Sequence, residues 1–420
     1  MGKQRFDVEK AVVDMAMSDD ITGKRQIAKA IFDAAREGGI HPSSIHEFYM
    51  ARGRGEFGGF TVPAINLRSL TYDLACTVFR VAKRNSSGAF VFEIARSEIG
   101  YTSQTPTEYA SMILAAAIKE AYAGPVFIQG DHFQVNAAKF KENPDKEIES
   151  LRGLISDAIG SGFYNIDIDS STLVDMSKPS LKEQQLLNCE VCAKLTQFVR
   201  GIEPKGVTVS VGGEIGEIGH QNSTPEDLHA FMAGLKEKLG KVYAGISKIS
   251  VQTGTHHGGV VLPDGSIAQV QLDFDTLKTL STVARGEYGL AGAVQHGAST
   301  LPAEAFHKFV ECETAEVHLA TEFQNMIYES EHFPADLKRR MYDWLRINAA
   351  NEAKQGETDG QFFYKTRKKA LGPFKKEIMG LPQTVREAIA AEVEKKFDFL
   401  FRQLGVVDKR ELVDKYARAP

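Results

Sequence analysis

The chain has 420 residues, of which 43% are apolar and 25% charged, and its formal net charge is −5. These proportions are typical of a globular protein, and the mildly acidic balance gives no electrostatic reason to expect nucleic acid or an anionic membrane as a partner. No apolar run is long enough to span a bilayer, and the first ten residues, MGKQRFDVEK, contain no apolar signal core. We therefore expect a cytoplasmic protein.

After about fifty polar, helix-prone residues, short β-type runs alternate regularly with helical patterns. The β-type runs cover residues 60–66, 89–95, 125–133, 164–171, 207–216, 248–255, 292–299 and 315–322. A helical pattern follows each run, and after the fifth one Thr224 and Pro225 are the predicted N-cap and first helical residue. Eight such units predict a closed (β/α)₈ barrel, with an open doubly wound sheet as the alternative.

The predicted fold class is therefore α/β, with a catalytic (β/α)₈ barrel over residues 56–330. Residues 1–55 are predicted to form an N-terminal helical extension. Residues 331–420 are rich in Lys, Glu, Arg, Ala and Leu without a clear β run, so they are predicted to form a C-terminal helical extension. Within it, TDGQFFYKTRKK at 358–369 is predicted to be a loop.

The cysteines raise a separate question, because Cys189 and Cys192 form a C-x-x-C pair that could indicate redox or zinc chemistry. Four cysteines in a chain of this length do not make a disulfide framework, and no second pair completes a Cys₄ site. The surrounding residues have the apolar spacing of an amphipathic helix. We therefore predict two thiols on one half-buried helical face.

Imidazoles and carboxylates are concentrated where the predicted strands end, which is where a barrel of this type carries its reacting groups. These residues are Asp131, His132, Asp167, Asp169, Glu214, His256, His257 and His296. Ligands from separate strands with one open position are typical of catalytic zinc. A single histidine at a strand end is more often a hydrogen-bonded loop residue, so this prediction depends on the whole set.

Small residues after three of the last strands form a second pattern. They are Gly254, Gly258 and Gly259, then Gly297, Ala298 and Ser299, then Ala320 and Thr321. Each group alone is a common turn. Together they predict a phosphate held by backbone N–H groups near the cation, because small residues let the backbone approach an anion closely.

Six segments resemble the class II fructose-bisphosphate and tagatose-bisphosphate aldolases, in the family's order and over about residues 60–325. The segments are GDH at 130–132, DIDSS at 167–171, GGEIG at 212–216, TGTHHGG at 253–259, QHGAS at 295–299 and HLATE at 318–322. The resemblance implies a homodimer or homotetramer that binds Zn²⁺ or another divalent ion, often with Na⁺ or K⁺. It also implies reversible cleavage of fructose 1,6-bisphosphate to dihydroxyacetone phosphate and an aldehyde through a zinc-stabilised enediolate.

The same resemblance assigns roles to individual residues. His132, His257 and His296 become the zinc ligands, and Asp131 becomes the acid–base at the C4 oxygen. Glu214 and Asp169 become ligands of an alternative metal position. The residues that correspond to the family's C1-phosphate and monovalent-ion loops are Gly258, Gly297, Ser299 and Thr321. FFYKTR at 362–367 resembles a segment whose arginine reaches the distal phosphate in a neighbouring subunit, which nominates Arg367; a solvated basic loop is the alternative.

Departures from the family pattern concern the substrate. His318 replaces an asparagine that touches substrate, and Ala95 replaces a serine. GHQNSTPED lacks the usual loop glutamate, for which Glu217 and Glu226 are candidates. Two alternatives therefore remain open: an aldolase for tagatose 1,6-bisphosphate or another phosphorylated or anionic sugar, and a non-catalytic partner subunit.

Overall fold

Eight parallel strands form a closed barrel in a computed structural model that describes residues 6–216, 221–254, 262 and 272–417. The described residues form nine strands, of which β2 to β9 make the barrel: β1 (Ile40–Ser43), β2 (Val62–Asn66), β3 (Val91–Ala95), β4 (Gly124–Gln134), β5 (Asn165–Asp169), β6 (Ser210–Glu214), β7 (Lys248–Ser250), β8 (Ala293–Gln295) and β9 (Glu316–Leu319). From β2 to β9 each strand pairs with the next, and β9 pairs with β2. This confirms the predicted (β/α)₈ barrel.

Nineteen helices surround the barrel or extend from it within the described part of the chain. They are α1 (Val8–Met17), α2 (Ile21–Glu37), α3 (His46–Gly53), α4 (Thr71–Arg84), α5 (Arg96–Thr102), α6 (Pro106–Lys119), α7 (Ala137–Glu142), α8 (Pro144–Gly160), α9 (Leu181–Gln184), α10 (Leu186–Ile202), α11 (Pro225–Leu239), α12 (Phe274–Tyr288), α13 (Phe306–Glu311), α14 (Thr321–Glu329), α15 (Ala335–Asn348), α16 (Asp359–Thr366), α17 (Lys375–Met379), α18 (Gln383–Gln403) and α19 (Arg410–Tyr416). No described helix is both long and apolar enough to cross a membrane.

Local sequence signals explain where several of these helices begin. The predicted N-cap of α11 is confirmed, because the Thr224 side chain accepts from Asp227 N and the Asp227 side chain accepts in return from Thr224 N. The loop predicted at 358–369 is wrong. Thr358 and Gln361 form the same reciprocal cap, and α16 begins immediately after Thr358. The signal was present in the sequence, since threonine followed three residues later by glutamine marks a helix start.

The N-terminal segment also contains a strand, in addition to its helices. In β1, Ile40 pairs with Gly124 in the first half of β4, whereas β5 pairs with β4 from Gln129 onward. Pro42 is compatible with this position because β1 pairs along one edge only.

Helix α3 covers the N-terminal end of the barrel. Ser44, just before it, donates to Thr208 O at 2.6 Å, and the hydroxyl of the fully buried Tyr49 donates to Glu316 on β9. These contacts fix α3 against the start of β9 and the residues just before β6.

The C-terminal helices share one hydrophobic core with the barrel. On α18, the Phe397 ring lies 4.8 Å from that of Phe323 on α14, between centroids, and Phe401 lies 5.4 Å from Phe90. On α10, Cys189 and Cys192 are buried free thiols, and burial raises the pKa of Cys189 to about 11. The prediction of two thiols on a helix is confirmed.

Candidate active site

A cavity of about 550 Å³ opens at the carboxyl ends of the strands. Among the residues that the sequence nominated as site residues, it is lined by Asp131, His132, His296, Gly297, Ser299, His318, Ala320 and Thr321. Its volume lies within the range of about 300–1,000 Å³ that is usual for small-molecule sites. The tips of β4, β8 and β9 thus contribute to one concave surface.

Asp131 and His132 are neighbours in β4, where a regular strand would point them to opposite faces. The register between β4 and β5 shifts between Gly130 and Phe133, and His132 has a left-handed φ of 41°. This bulge re-aims the strand, so that both side chains line the cavity. Such a conformation costs a non-glycine residue about 1–2 kcal/mol, which the surrounding barrel must offset.

Two carboxylates lie next to Nδ1 of the His132 ring. Its Nδ1 lies 3.2 Å from Asp169 Oδ2 and 3.3 Å from Glu214 Oε2. Asp169 is held in place by Ser171 Oγ, which donates to it at 2.6 Å, and by Gln134 Nε2 at 2.5 Å. The ends of β4, β5 and β6 therefore bring one imidazole and two carboxylates together.

Three imidazoles, from β4, the end of β8 and β9, lie in contact with one another beside the Asp131 carboxylate, His132 tilted against His296 and His318 edge-on to it. The ring centroid of His296 lies 4.1 Å from that of His132 and 4.1 Å from that of His318. Asp131 Oδ1 lies 3.4 Å from His296 Nε2 and 3.1 Å from His318 Nδ1. One carboxylate oxygen is thus shared by imidazoles from two other strands.

The electrostatics of this group favour a positive charge at His132 and a neutral ring at His296. Burial opposes ionisation of His132, but Asp131, Glu214 and Asp169 raise its pKa well above the usual value. Burial, together with His318 and His132, lowers the pKa of His296 well below its usual value. Burial would raise the pKa of Asp131, yet the adjacent imidazoles hold it well below its usual range, so this carboxylate stays ionised.

These side chains fit a divalent cation. Asp131, His132 and His296 each offer a ligand atom, and the three atoms lie within 4.8 Å of one another; His132, Asp169 and Glu214 form a second such group. Imidazole nitrogen and carboxylate oxygen are the donors that Zn²⁺ and related ions take in catalytic sites. The carboxylates that raise the pKa of His132 would attract a metal cation for the same reason.

A buried polar network lies inside the barrel below this site, and sequence reasoning missed most of it. Lys248 Nζ donates to Gln129 Oε1 at 2.7 Å, to Asp167 Oδ2 at 2.9 Å and to Glu316. His318 connects the two layers, since its Nε2 lies 2.7 Å from Glu316 Oε1 and its Nδ1 lies 3.0 Å from Glu93 Oε2. The sequence did contain a signal for Glu93 and Glu316. Each is a charged residue within an apolar strand and lies two residues before the residue at the strand tip, so both side chains point to the same face.

The structure bears on one of the two places that the sequence suggested for Arg367, the solvated basic loop. Arg367 is buried, its Nη1 donates to Glu329 Oε1 at 2.6 Å and its Nη2 donates to Asn325 Oδ1 at 2.7 Å. The alternative of a solvated basic loop is wrong for this residue. The guanidinium does not line the cavity of its own subunit, and its reach to the distal phosphate of a neighbouring subunit stays a prediction.

Five nominated residues lie outside the described residues: Glu217, His256, His257, Gly258 and Gly259. Glu226, the other candidate for the loop glutamate, is exposed in the first turn of α11 and does not line the cavity.

A family model described as "Fructose-bisphosphate aldolase class-II" matches residues 54–403, which is most of the chain. The chain belongs to the class II fructose-bisphosphate aldolase family. This confirms the resemblance that the six segments indicated. By family the chain is therefore an aldolase, that is, a carbon–carbon lyase, and its match to the class II model extends through the barrel into α18.

Solved structures similar to this class II family member share its fold at low sequence identity. A probable tagatose 6 phosphate kinase from Sinorhizobium meliloti 1021 has a TM-score of 0.56 at 16% identity, covering 84% of this chain and 99% of that one. A fructose-bisphosphate aldolase from Campylobacter jejuni has a TM-score of 0.52 at 19% identity, covering 88% and 96%. A fructuronate-tagaturonate epimerase from Cohnella laeviribosi has a TM-score of 0.53 at 11% identity, covering 94% and 86%. These likenesses support the barrel architecture alone.

One curated protein also has a similar segment. The small ribosomal subunit protein bS1 of Synechococcus sp. is 24% identical over 220 residues, which are 51% of this chain and 62% of that protein. The chain thus spans about three-fifths of the length of this relative.

Proposed function

We propose that the protein is a divalent-metal-dependent aldolase that cleaves a phosphorylated ketose, with fructose 1,6-bisphosphate as the first candidate. The observation that carries the proposal is the convergence of Asp131, His132 and His296 in one cavity, within 4.8 Å of one another. Membership of the class II family supports it. Zn²⁺ is the ion we propose first, with His257 completing its ligands.

The residues of this chain divide the work of a retro-aldol reaction. His132 and His296 would hold the cation, which as a Lewis acid supplies stabilisation of the negative charge that develops on the ketose carbonyl oxygen. Asp131, kept ionised by the neighbouring imidazoles, would take the proton from the C4 hydroxyl as the C3–C4 bond breaks. The electron pair of that bond moves toward the carbonyl, and the aldehyde leaves from C4.

Gly297, Ser299 and Thr321 line the same cavity and would hold the C1 phosphate. Backbone N–H groups of small residues after the last strands of a barrel are the usual phosphate ligands. A monovalent cation in these loops and a homo-oligomeric assembly stay predictions from the resemblance.

A second candidate is an aldolase for another phosphorylated or anionic sugar, such as tagatose 1,6-bisphosphate. His318 favours it, because this imidazole lines the cavity and contacts Asp131 where an asparagine was expected. The imidazole is larger than an asparagine side chain and can ionise. The C3 and C4 hydroxyls of the substrate would therefore contact a different group next to Asp131.

The test is cleavage of fructose 1,6-bisphosphate, followed by coupled reduction of the triose phosphate, before and after prolonged treatment with a chelator. We expect chelation to abolish turnover, Zn²⁺ or Co²⁺ to restore it, and His296→Ala to lose both bound metal and activity. His307→Ala is the matched control, since His307 is exposed on α13 and pairs with Glu311. Full activity without metal would refute the proposal, and absence of stoichiometric metal in the purified protein would favour a non-catalytic subunit.

A further inference from the structure

Asp131 has the chemistry for two different roles in this site. Its carboxylate belongs to a group of possible metal ligands with His132 and His296, whose ligand atoms lie within 4.8 Å of one another. The proposed reaction instead needs Asp131 as the base that takes a proton from the C4 hydroxyl. A carboxylate bound to a divalent cation loses basicity, so one side chain cannot serve fully in both roles. Some other feature of the site must decide between them.

The residue of β3 opposite Asp131 does not hold its carboxylate. Asp131 in β4 is in register with Ala95 in β3, whose methyl group neither donates nor accepts a hydrogen bond. Two residues earlier in each strand, Gln129 is in register with Glu93, and Gln129 Nε2 donates to Glu93 Oε2 at 3.1 Å. The polar group that β3 contributes therefore lies one layer below Asp131, inside the barrel.

The imidazole of His318 is the nearest of the three around Asp131. His318 Nδ1 lies 3.1 Å from Asp131 Oδ1. The corresponding distances to this oxygen are 3.4 Å from His296 Nε2 and 3.9 Å from His132 Nε2. Since His132 and His296 are the proposed metal ligands, their rings would be occupied by a bound cation. His318 is then the imidazole that remains to hold Asp131.

Carboxylates fix the His318 ring from two sides. Its Nε2 lies 2.7 Å from Glu316 Oε1, and its Nδ1 lies 3.0 Å from Glu93 Oε2. Glu316 also accepts from Lys248, so it is ionised and the Nε2–H of His318 is the donor between them. The side chain of His318 is 4% exposed, which leaves the ring little room to turn away from Asp131.

This arrangement gives the Asp131 carboxylate a partner other than the cation. The carboxylates of Glu93, Glu316 and Asp131 around one imidazole favour its protonated form, which has a hydrogen on both nitrogens. A fixed positive group therefore attracts Asp131 toward β9. Because the site is buried, this attraction is strong enough to compete with that of a cation held at the neighbouring imidazoles.

We propose that His318 is a positioning residue, which holds the Asp131 carboxylate on the side of β9 so that Asp131 acts as the base and does not become a metal ligand. The inference rests on the proposed aldolase function and deepens it. Glu93 and Glu316 contribute indirectly, by fixing the ring that contacts Asp131.

Two substitutions separate the contact with Asp131 from the contact that anchors the ring. The amide nitrogen of asparagine can replace Nδ1, which faces Asp131, whereas that of glutamine can replace Nε2, which faces Glu316. We expect His318→Asn to keep kcat within about tenfold of wild type and His318→Gln to lower it about hundredfold or more, since a positioned base contributes about 10²–10⁴-fold. KM should change less than kcat. Equal losses of kcat in the two variants would contradict the proposal.

A second measurement needs no turnover and so separates this inference from the proposed function. Co²⁺ is titrated into the protein after chelator treatment, and its affinity and visible absorption are recorded. We expect His318→Gln to bind Co²⁺ about tenfold more tightly than wild type, with weaker absorption, because the released Asp131 carboxylate becomes an additional ligand. Unchanged or weaker binding would overturn the inference. The expected change in a protein without cleavage activity would refute only the aldolase proposal.

A double-mutant cycle tests whether the tighter binding comes from Asp131 or only from the loss of a nearby positive charge. His318→Gln is compared in the wild-type and the Asp131→Asn backgrounds, and the gain in Co²⁺ affinity should be lost in the second, where no carboxylate can become a ligand. A gain of the same size in both backgrounds would sink the proposal. His307→Gln is the matched control, since His307 is exposed on α13 and pairs with Glu311, and it should change neither kcat nor Co²⁺ affinity.

Discussion

The bulge in β4 depends on Gly130, and replacing this glycine tests how the site is built. A Cβ atom at Gly130 would lie 2.4 Å from Cζ and 2.6 Å from Cε1 of Phe133, whose ring is fully buried. Because carbon atoms pack at about 3.5 Å or more, Gly130→Ala would force the strand or the ring to move by about 1 Å. The residues that move with the strand are Asp131 and His132.

The expected magnitude follows from that displacement. Overpacking of a closed core costs about 1–3 kcal/mol of unfolding free energy. A shift of about 1 Å in a catalytic group can reduce its rate about a hundredfold. We therefore expect Gly130→Ala to lose about two orders of magnitude in kcat/KM while the protein still folds.

The assays are urea unfolding, bound metal per chain and the cleavage rate. Gly153→Ala in α8 is the control, since its added Cβ meets nothing within 4 Å, and we expect it to be neutral or stabilising by up to about 1 kcal/mol. Adding Phe133→Leu to Gly130→Ala removes the ring that clashes, and should recover part of the activity. Wild-type kcat/KM in Gly130→Ala alone would refute the account of the bulge.

Three further predictions concern residues outside the reacting cluster. Lys248→Met should lower the unfolding free energy by about 3–5 kcal/mol, because it leaves Asp167 and Glu316 buried without their cation. Burial lowers the pKa of His46 to about 4, whereas the unfolded chain binds this proton near pH 6.5. The free energy of unfolding should therefore decline by about 3 kcal/mol as pH falls from about 6.5 to about 4. Arg367→Gln should cost about 1–3 kcal/mol through Glu329 and Asn325, with KM for fructose 1,6-bisphosphate unchanged.

Each of these has a measurement that can contradict it. Urea unfolding of Lys248→Met should improve when Glu316→Gln is added, and no improvement would argue against the buried ion pair. The unfolding free energy of wild type should depend on pH more steeply than that of His46→Leu between pH 6.5 and 4, and equal slopes would exclude His46 as the cause. A raised KM in Arg367→Gln would return this residue to the substrate site.

The barrel could be predicted because its signals are local and periodic. Each β run from 60–66 to 315–322 overlaps an observed strand, and the caps of α11 and α16 follow from residues three apart. Residue types at the strand ends likewise indicated Asp131, His132 and His296, since barrel geometry places all strand ends at one mouth. Strand β1 escaped prediction because its four residues, IHPS, carry no alternating apolar pattern and pair only with a strand about eighty residues away.

The sequence alone thus determined the order of helices and strands and which imidazoles lie at the strand ends. It could do so because hydrophobic periodicity, helix capping and the common direction of parallel strands can be recognised without knowing any distant contact. Tertiary structure alone decided how those groups are used. Three features depend on residues far apart in the chain: the bulge that turns His132 into the cavity, the edge-on contact of His318 with His296, and the pairing of Lys248 with Glu316. The tertiary structure also decided that Arg367 pairs with Glu329 while its neighbour Lys368 lines the cavity. Ion pairs between distant segments leave no periodic pattern in the sequence.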